Sequence, residues 1–107
     1  MKSTSSRSRI DARSLEARAG EVAELLRALG NDRRLLILCR LVECGEATVG
    51  SLADDIGLSQ SALSQHLARM REEGIVAFRR DAQTLWYRIA DSRVETLLAT
   101  LHRLYCR

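Results

Sequence analysis

No stretch of this 107-residue sequence reaches the ~20 consecutive apolar residues that a membrane span needs. None near the N-terminus could serve as a secretory signal. A cytoplasmic protein without membrane contact is therefore expected. Histidine occurs only twice, at His66 and His102. No nucleophile stands at a recognised spacing from a base, and no glycine-rich phosphate loop is present, so an enzyme is not expected. Proline is absent, and no segment repeats. The three cysteines do not make the disulfide framework of a small secreted domain. They are packed thiols, metal ligands or redox-active groups.

What is present is a globular composition, 46% apolar and 29% charged. The length fits one domain. A monomer of this size has a thin core, which makes a dimer more comfortable. The net charge of +3 is modest, so its placement matters more than its size. Lys2, Arg7, Arg9 and Arg13 lie among serines at the start. Residues 1–13 are expected to be a flexible basic tail, and residues 14–107 the folded domain.

Apolar spacing predicts a first helix from a Ser14 cap to Leu29, with Val22, Leu25, Leu26 and Leu29 on one face. Gly30 ends it and Asn31 caps the next. That second helix runs from Asp32 to about Cys44 with Leu35, Leu38, Cys39 and Val42 as its stripe, widened by Leu36, Ile37 and Leu41. Thr48 can cap a short helix to Ile56. Gly57 makes a turn, Ser59 caps a further helix, and Gly74 ends it. Residues 75–79 and 84–89 have strand character around a hairpin tip at 80–83. Asp91 or Ser92 starts a last helix to about Cys106. The expected fold is mainly α with a small two-stranded β-wing, in the order ααααββα: a winged helix-turn-helix. The apolar surplus of its first and last helices is economically explained by a homodimer formed through them.

The helix after Ser59 carries two distinct faces. Leu63, Leu67 and Met70 point one way. Ser61, Ser64, Gln65 and Ala68 point the other, with Gln60 and Arg69 at the edges. A neutral face of Ser and Gln suits base edges in a major groove, where Gln can pair with adenine through two hydrogen bonds. Ser59 and the helix start suit phosphate oxygens. Arg79, Arg80 and Gln83 fall at the wing and suit backbone or minor-groove contacts. Trp86 and Tyr87 alternate on the return strand and are read as core and hairpin residues, not as stacking platforms for bases. His66 lies at the core edge of the reading helix and is read first as a packing or hydrogen-bonding residue, and only second as a phosphate contact. Double-stranded operator DNA is the expected partner.

Three segments together resemble the ArsR-type small winged-helix repressors: 25–38 (LLRALGNDRRLLIL), 58–67 (LSQSALSQHL) and 73–76 (EGIV). The likeness covers residues 15–107. It implies a homodimer that binds an operator and leaves it when an inducer arrives. Many members of that family sense metals through a Cys-x-Cys on the short helix, where this chain has Thr48 and Gly50. Another subgroup uses an Asp-x-His pair on the last helix and a later His. This chain has Asp91 but Arg93, and His102 falls out of register. No metal and no cofactor are therefore expected.

Cys39 and Cys106 resemble instead the thiol pair of the persulfide- and redox-responsive branch, the BigR and SqrR type. The resemblance implies that an oxidant or reactive sulfur species joins the two by a disulfide or polysulfide bridge. DNA affinity then falls, and sulfide-detoxification genes are expressed. Cys39 also sits on an apolar stripe, where free cysteine is a common core residue. Cys106 is harder to explain that way, so near the end of the chain. Cys44, five residues from Cys39, points elsewhere and is read as a bystander or as an extra reactive thiol. Two other readings compete: a metal-responsive repressor using Cys39, Cys106 and His102, and a winged-helix module that binds a protein partner.

Overall fold

The computed structural model describes residues 11–106. Among these residues, six helices and three short strands follow one another: α1 (Ala12–Ala17), α2 (Ala19–Leu29), α3 (Asp32–Cys44), β1 (Ala47–Thr48), α4 (Val49–Ile56), α5 (Gln60–Glu72), β2 (Val76–Asp81), β3 (Thr84–Ile89) and α6 (Ser92–Tyr105). The expected winged helix-turn-helix order is present, with two differences of detail. The basic tail expected over residues 1–13 falls mostly outside the described residues.

The first difference is at the start. The helix expected from Ser14 to Leu29 begins at Ala12 and breaks at Arg18 into α1 and α2. Asp11, not Ser14, is its cap: the Asp11 carboxylate accepts from the Arg13 N–H and from the Ser14 hydroxyl. At the break, Arg18 (φ −112°, ψ 17°) donates its N–H back toward Leu15 and Glu16. Nothing in α1 is buried, so no packing keeps it in line with α2. Gly20, a poor helix former, follows at once.

The second difference is in the sheet, which has three strands in the order β1-β3-β2, all antiparallel. β1 is a two-residue strand that pairs Ala47 with Tyr87 and Thr48 with Trp86. The hairpin is also tighter than expected. Asp81 pairs with Thr84, so the turn is Ala82–Gln83 and Arg80 lies within β2, opposite Leu85. Ala82 takes φ 58°, in the left-handed region that a two-residue hairpin turn demands.

The other caps form as their chemistry dictates. Asn31 Oδ1 accepts from the N–H groups of Arg33 and Arg34, at 3.0 and 3.2 Å. Thr48 serves Ser51, Ser59 serves Ala62, and Asp91 serves Arg93. One core joins all layers. Ile37, Leu38 and Leu41 of α3, Leu52 of α4, Leu63, Leu67 and Met70 of α5, Val76 of β2 and Val94 of α6 are fully buried. α3 therefore buries its 37–38–41 side. Of the stripe expected to face inward, Leu38 is buried and Leu35 half-buried, but Cys39 and Val42 are exposed. The helix is apolar nearly all round, so spacing alone did not select the buried side.

Candidate nucleic-acid interface and thiol pair

α4 and α5 form the helix-turn-helix. Gly57 ends α4 in the left-handed conformation, φ 81°, and its N–H reaches Ala53 O at 2.8 Å. That is a glycine stop with the geometry expected of one. Ser59 then opens α5 by accepting from the Ala62 N–H. Leu63, Leu67 and Met70 bolt α5 onto the core. Their burial fixes which side is left: Ser59, Gln60, Ser61, Ser64, Gln65 and Arg69 are all exposed. Ala68, expected on the same outer face, is half-buried at its edge. Gln60 lies across the start of α4, where a Cβ on Gly50 would stand 3.6 Å from its amide nitrogen.

The wing projects Arg80 and Gln83 into solvent. Arg79 is engaged already. Its guanidinium donates to both Glu46 oxygens, at 2.8 and 3.0 Å, and sits 5.6 Å from the centre of the Trp86 ring. The same hydrogen bonds hold the Glu46 carboxyl below the usual carboxylate range. Such a two-pronged pair on the surface adds little stability but orients the side chain. Trp86 is half-buried, whereas Tyr87 is the ring that packs inward, 4% exposed and 5.4 Å from Phe78 centre to centre.

Cys39 is exposed on the outer side of α3. Cys106 is exposed at the end of α6, where its N–H reaches His102 O at 2.8 Å. Partial burial raises the Cys39 thiol above its ordinary value, and repulsion from Cys106 raises it further. Cys39 on α3 and Cys106 just past α6 are thus solvent-exposed thiols from segments far apart in the sequence. Cys44, the last residue of α3, is exposed as well. The helices that carry the thiols also expose large apolar side chains: Leu36 is 52% exposed, Leu104 71% and Tyr105 83%. Leu26 (54% exposed) borders a cavity of about 430 Å³ between α2 and α6. Exposed apolar side chains in such number suit a partner surface.

Nothing comparable assembles for a metal. Among the described residues no three His, Cys, Asp or Glu side chains come together, so Cys39, Cys106 and His102 do not form a ligand set. The Asp91 carboxylate is taken by Arg93 at 2.7 Å, and Arg93 also reaches Glu21 at 2.9 Å. Two features were beyond sequence reasoning. One is the Glu46–Arg79 clasp, which joins residues 33 positions apart. The other is a polar groove of about 740 Å³ beside α5, containing Arg34, His66 and Arg69.

The model for the bacterial regulatory proteins of the arsR family matches residues 31–77, from the start of α3 into β2. Across 93 residues the chain is 45% identical to the transcriptional activator HlyU of Vibrio cholerae, spanning 87% of this chain and 85% of that one. Across 92 residues it is 47% identical to the transcriptional regulator YgaV of Escherichia coli, spanning 86% and 93%. The crystal structure of the transcriptional repressor BigR from Xylella fastidiosa superposes with a TM-score of 0.85 at 40% identity, covering 92% of this chain and 99% of that one. With matching helices, matching wing and these identities, the chain belongs to the arsR family of DNA-binding transcriptional regulators.

Proposed function

We propose that this chain is a cytoplasmic, homodimeric repressor that grips operator DNA and releases it when Cys39 and Cys106 are joined. Ser59, Gln60, Ser61, Ser64, Gln65 and Arg69 meet one major groove, and Arg80 and Gln83 meet the adjacent backbone. Arg79 joins them by exchanging Glu46 for phosphate. The observation that supports the switch is the exposure of two free thiols, one on α3 and one at the end of α6. Exposed apolar side chains on α2 and α6 support pairing through these helices, the inner part of the first helical segment and the last helix. Repression follows the name of the Xylella relative, a biofilm growth-associated repressor, whereas the Vibrio cholerae relative is named an activator.

The chemistry balances with a persulfide as oxidant. The thiolate of one cysteine takes the outer sulfur of RS–SH and releases RS⁻. The other thiolate then displaces HS⁻ from that cysteine persulfide, leaving a disulfide. When two RS–SH first convert both cysteines to persulfides, releasing two RS⁻, the outer sulfur of one attacks the inner sulfur of the other and expels HS⁻. The resulting trisulfide bridge relaxes the ~4.4–6.8 Å between Cα atoms that a direct disulfide requires. Either bridge ties α6, at the dimer seam, to α3, behind the reading head. Two reading helices in a dimer must lie about 34 Å apart to meet successive grooves. A small tilt of the seam spoils that spacing.

The test is a titration of a duplex selected from random sequence by the reduced protein. The same duplex is titrated before and after treatment with glutathione persulfide. Weaker binding after treatment is expected, by roughly 5–150-fold, the usual range of coupling between sites. Equal affinity in both states rejects the switch. Gln65→Ala tests the reader separately. It is expected to lose about 1–3 kcal/mol of discrimination at one base pair, with little change on unrelated DNA. Unchanged base preference in a selection with Gln65→Ala would place base reading elsewhere.

A further inference from the structure

The clasp on Arg79 spans the whole width of the sheet. Arg79 of β2 stands opposite Trp86 of β3, and Ala47 of β1 stands opposite Tyr87. Glu46, just before β1, continues that register and so falls opposite Arg88. The Arg79 side chain crosses the Trp86 ring, and its Nε and Nη2 donate to Glu46 Oε2 and Oε1 at 2.8 and 3.0 Å. A carboxylate thus fills an edge of the guanidinium whose two parallel N–H groups are of the kind that grip a phosphate.

The backbone on both sides of this carboxylate is held. Gly45 ends α3 at φ 82°, with its N–H on Leu41 O at 2.8 Å. Ala47 is buried and paired in the sheet. Arg79 is the more mobile partner: its long side chain is 50% exposed, against 34% for Glu46. The hydrogen bonds from Arg79, and then the charges of Arg79 and Arg88, hold the Glu46 carboxyl below the usual carboxylate range. It is therefore fully charged at neutral pH. Arg80, next along the wing, is exposed and has no ion-pair partner among the described residues.

We infer that Glu46 is an internal stand-in for a DNA phosphate and sets how tightly the wing grips any duplex. This role rests on the DNA-binding reading above. It belongs to a residue that touches no DNA and acts through Arg79. Before binding, Glu46 neutralises Arg79. On binding, a backbone phosphate displaces Glu46, and the loss of the old ion pair offsets part of the gain from the new one. Arg88, opposite Glu46 in the register, leaves the freed carboxylate with a cation at hand. No base edge takes part, so the offset is the same for every sequence. Affinity is lowered for operator and unrelated DNA alike, and discrimination is left to α5.

The test is Glu46→Gln in the full chain, alone and combined with Arg79→Gln, titrated against the selected duplex and an unrelated one. Glu46 is not buried, so the fold is expected to survive, with circular dichroism as the check. Glu46→Gln is expected to tighten binding to both duplexes by the same factor, about two- to fivefold, the scale of one exposed ion pair. Arg79→Gln is expected to weaken both. Once Arg79→Gln is present, adding Glu46→Gln is expected to tighten binding by a clearly smaller factor. Equal or weaker binding by Glu46→Gln, while the parent chain binds, leaves Glu46 as a support for Arg79 and overturns the stand-in role alone. The same tightening with and without Arg79 puts the effect of the carboxylate directly on the DNA and overturns the exchange. Parent-level affinity in Arg79→Gln overturns the role of Glu46 and the Arg79 contact, and spares the reading helix. Absence of salt-dependent DNA binding by the parent chain overturns the DNA-binding reading and the role of Glu46 together.

Discussion

Cys39→Ser and Cys106→Ser are each expected to bind operator DNA as the reduced parent does and to keep that affinity after persulfide treatment. Both thiols are exposed, so exchanging sulfur for oxygen leaves no cavity and no buried hydroxyl without a partner. Either change removes one end of the bridge. The parent chain is expected to lose affinity by roughly 5–150-fold on the same treatment. Cys44→Ser is expected to respond as the parent does, because Cys44 takes no part in the proposed bridge. Anisotropy of a labelled duplex, read before and after glutathione persulfide, separates the three variants. A full response in Cys106→Ser, or its loss in Cys44→Ser, refutes the assignment. The Cys39 thiol is held above its ordinary value, so attack by Cys39 on the persulfide is expected to quicken as pH rises above neutral.

Leu67→Ala is expected to destabilise the fold by about 2–5 kcal/mol, the usual cost of a leucine deleted from a packed core. Leu67 is fully buried in the middle of α5, between Leu63 and Met70 of the same face. Small domains hold only about 5–15 kcal/mol in total, so the loss takes a large part of it. It also removes what sets the angle of the reading helix. Ser64→Ala, one turn earlier on the exposed face, is expected to change stability by less than about 0.5 kcal/mol. Thermal or denaturant unfolding of both variants measures the difference. A loss below about 1 kcal/mol for Leu67→Ala would mean that α5 is seated on another face, because that is the scale of surface changes.

The helix boundaries from Asn31 onward were readable because each has its own chemical signal. Asn31, Thr48, Ser59 and Asp91 supply cap oxygens, and Gly45 and Gly57 supply positive φ. The reading face of α5 was readable too, since Leu63, Leu67 and Met70 fall at helical spacing and the residues opposite carry little charge. The break at Arg18 was not, because the apolar residues on either side continue at helical spacing and only the absence of packing on α1 undoes it. β1 is two residues long and is defined by its partner β3, not by its own pattern. For α3 the sequence offered apolar residues on several sides. Only the folded chain decided that Ile37, Leu38 and Leu41 go inward and that Cys39 stays out. The clasp of Arg79 by Glu46 and the guanidinium-rich surroundings of His66 join distant segments, which no local pattern encodes.

Thr48 holds two posts at once: its backbone closes the sheet against Trp86, and its hydroxyl starts α4. Hairpin and helical pair are thereby soldered at one residue and travel as a single rigid tool. A signal arriving from elsewhere in the molecule can change where that tool is held, but not its shape. Target sites with different letters but the same pitch between halves would then feel that signal alike.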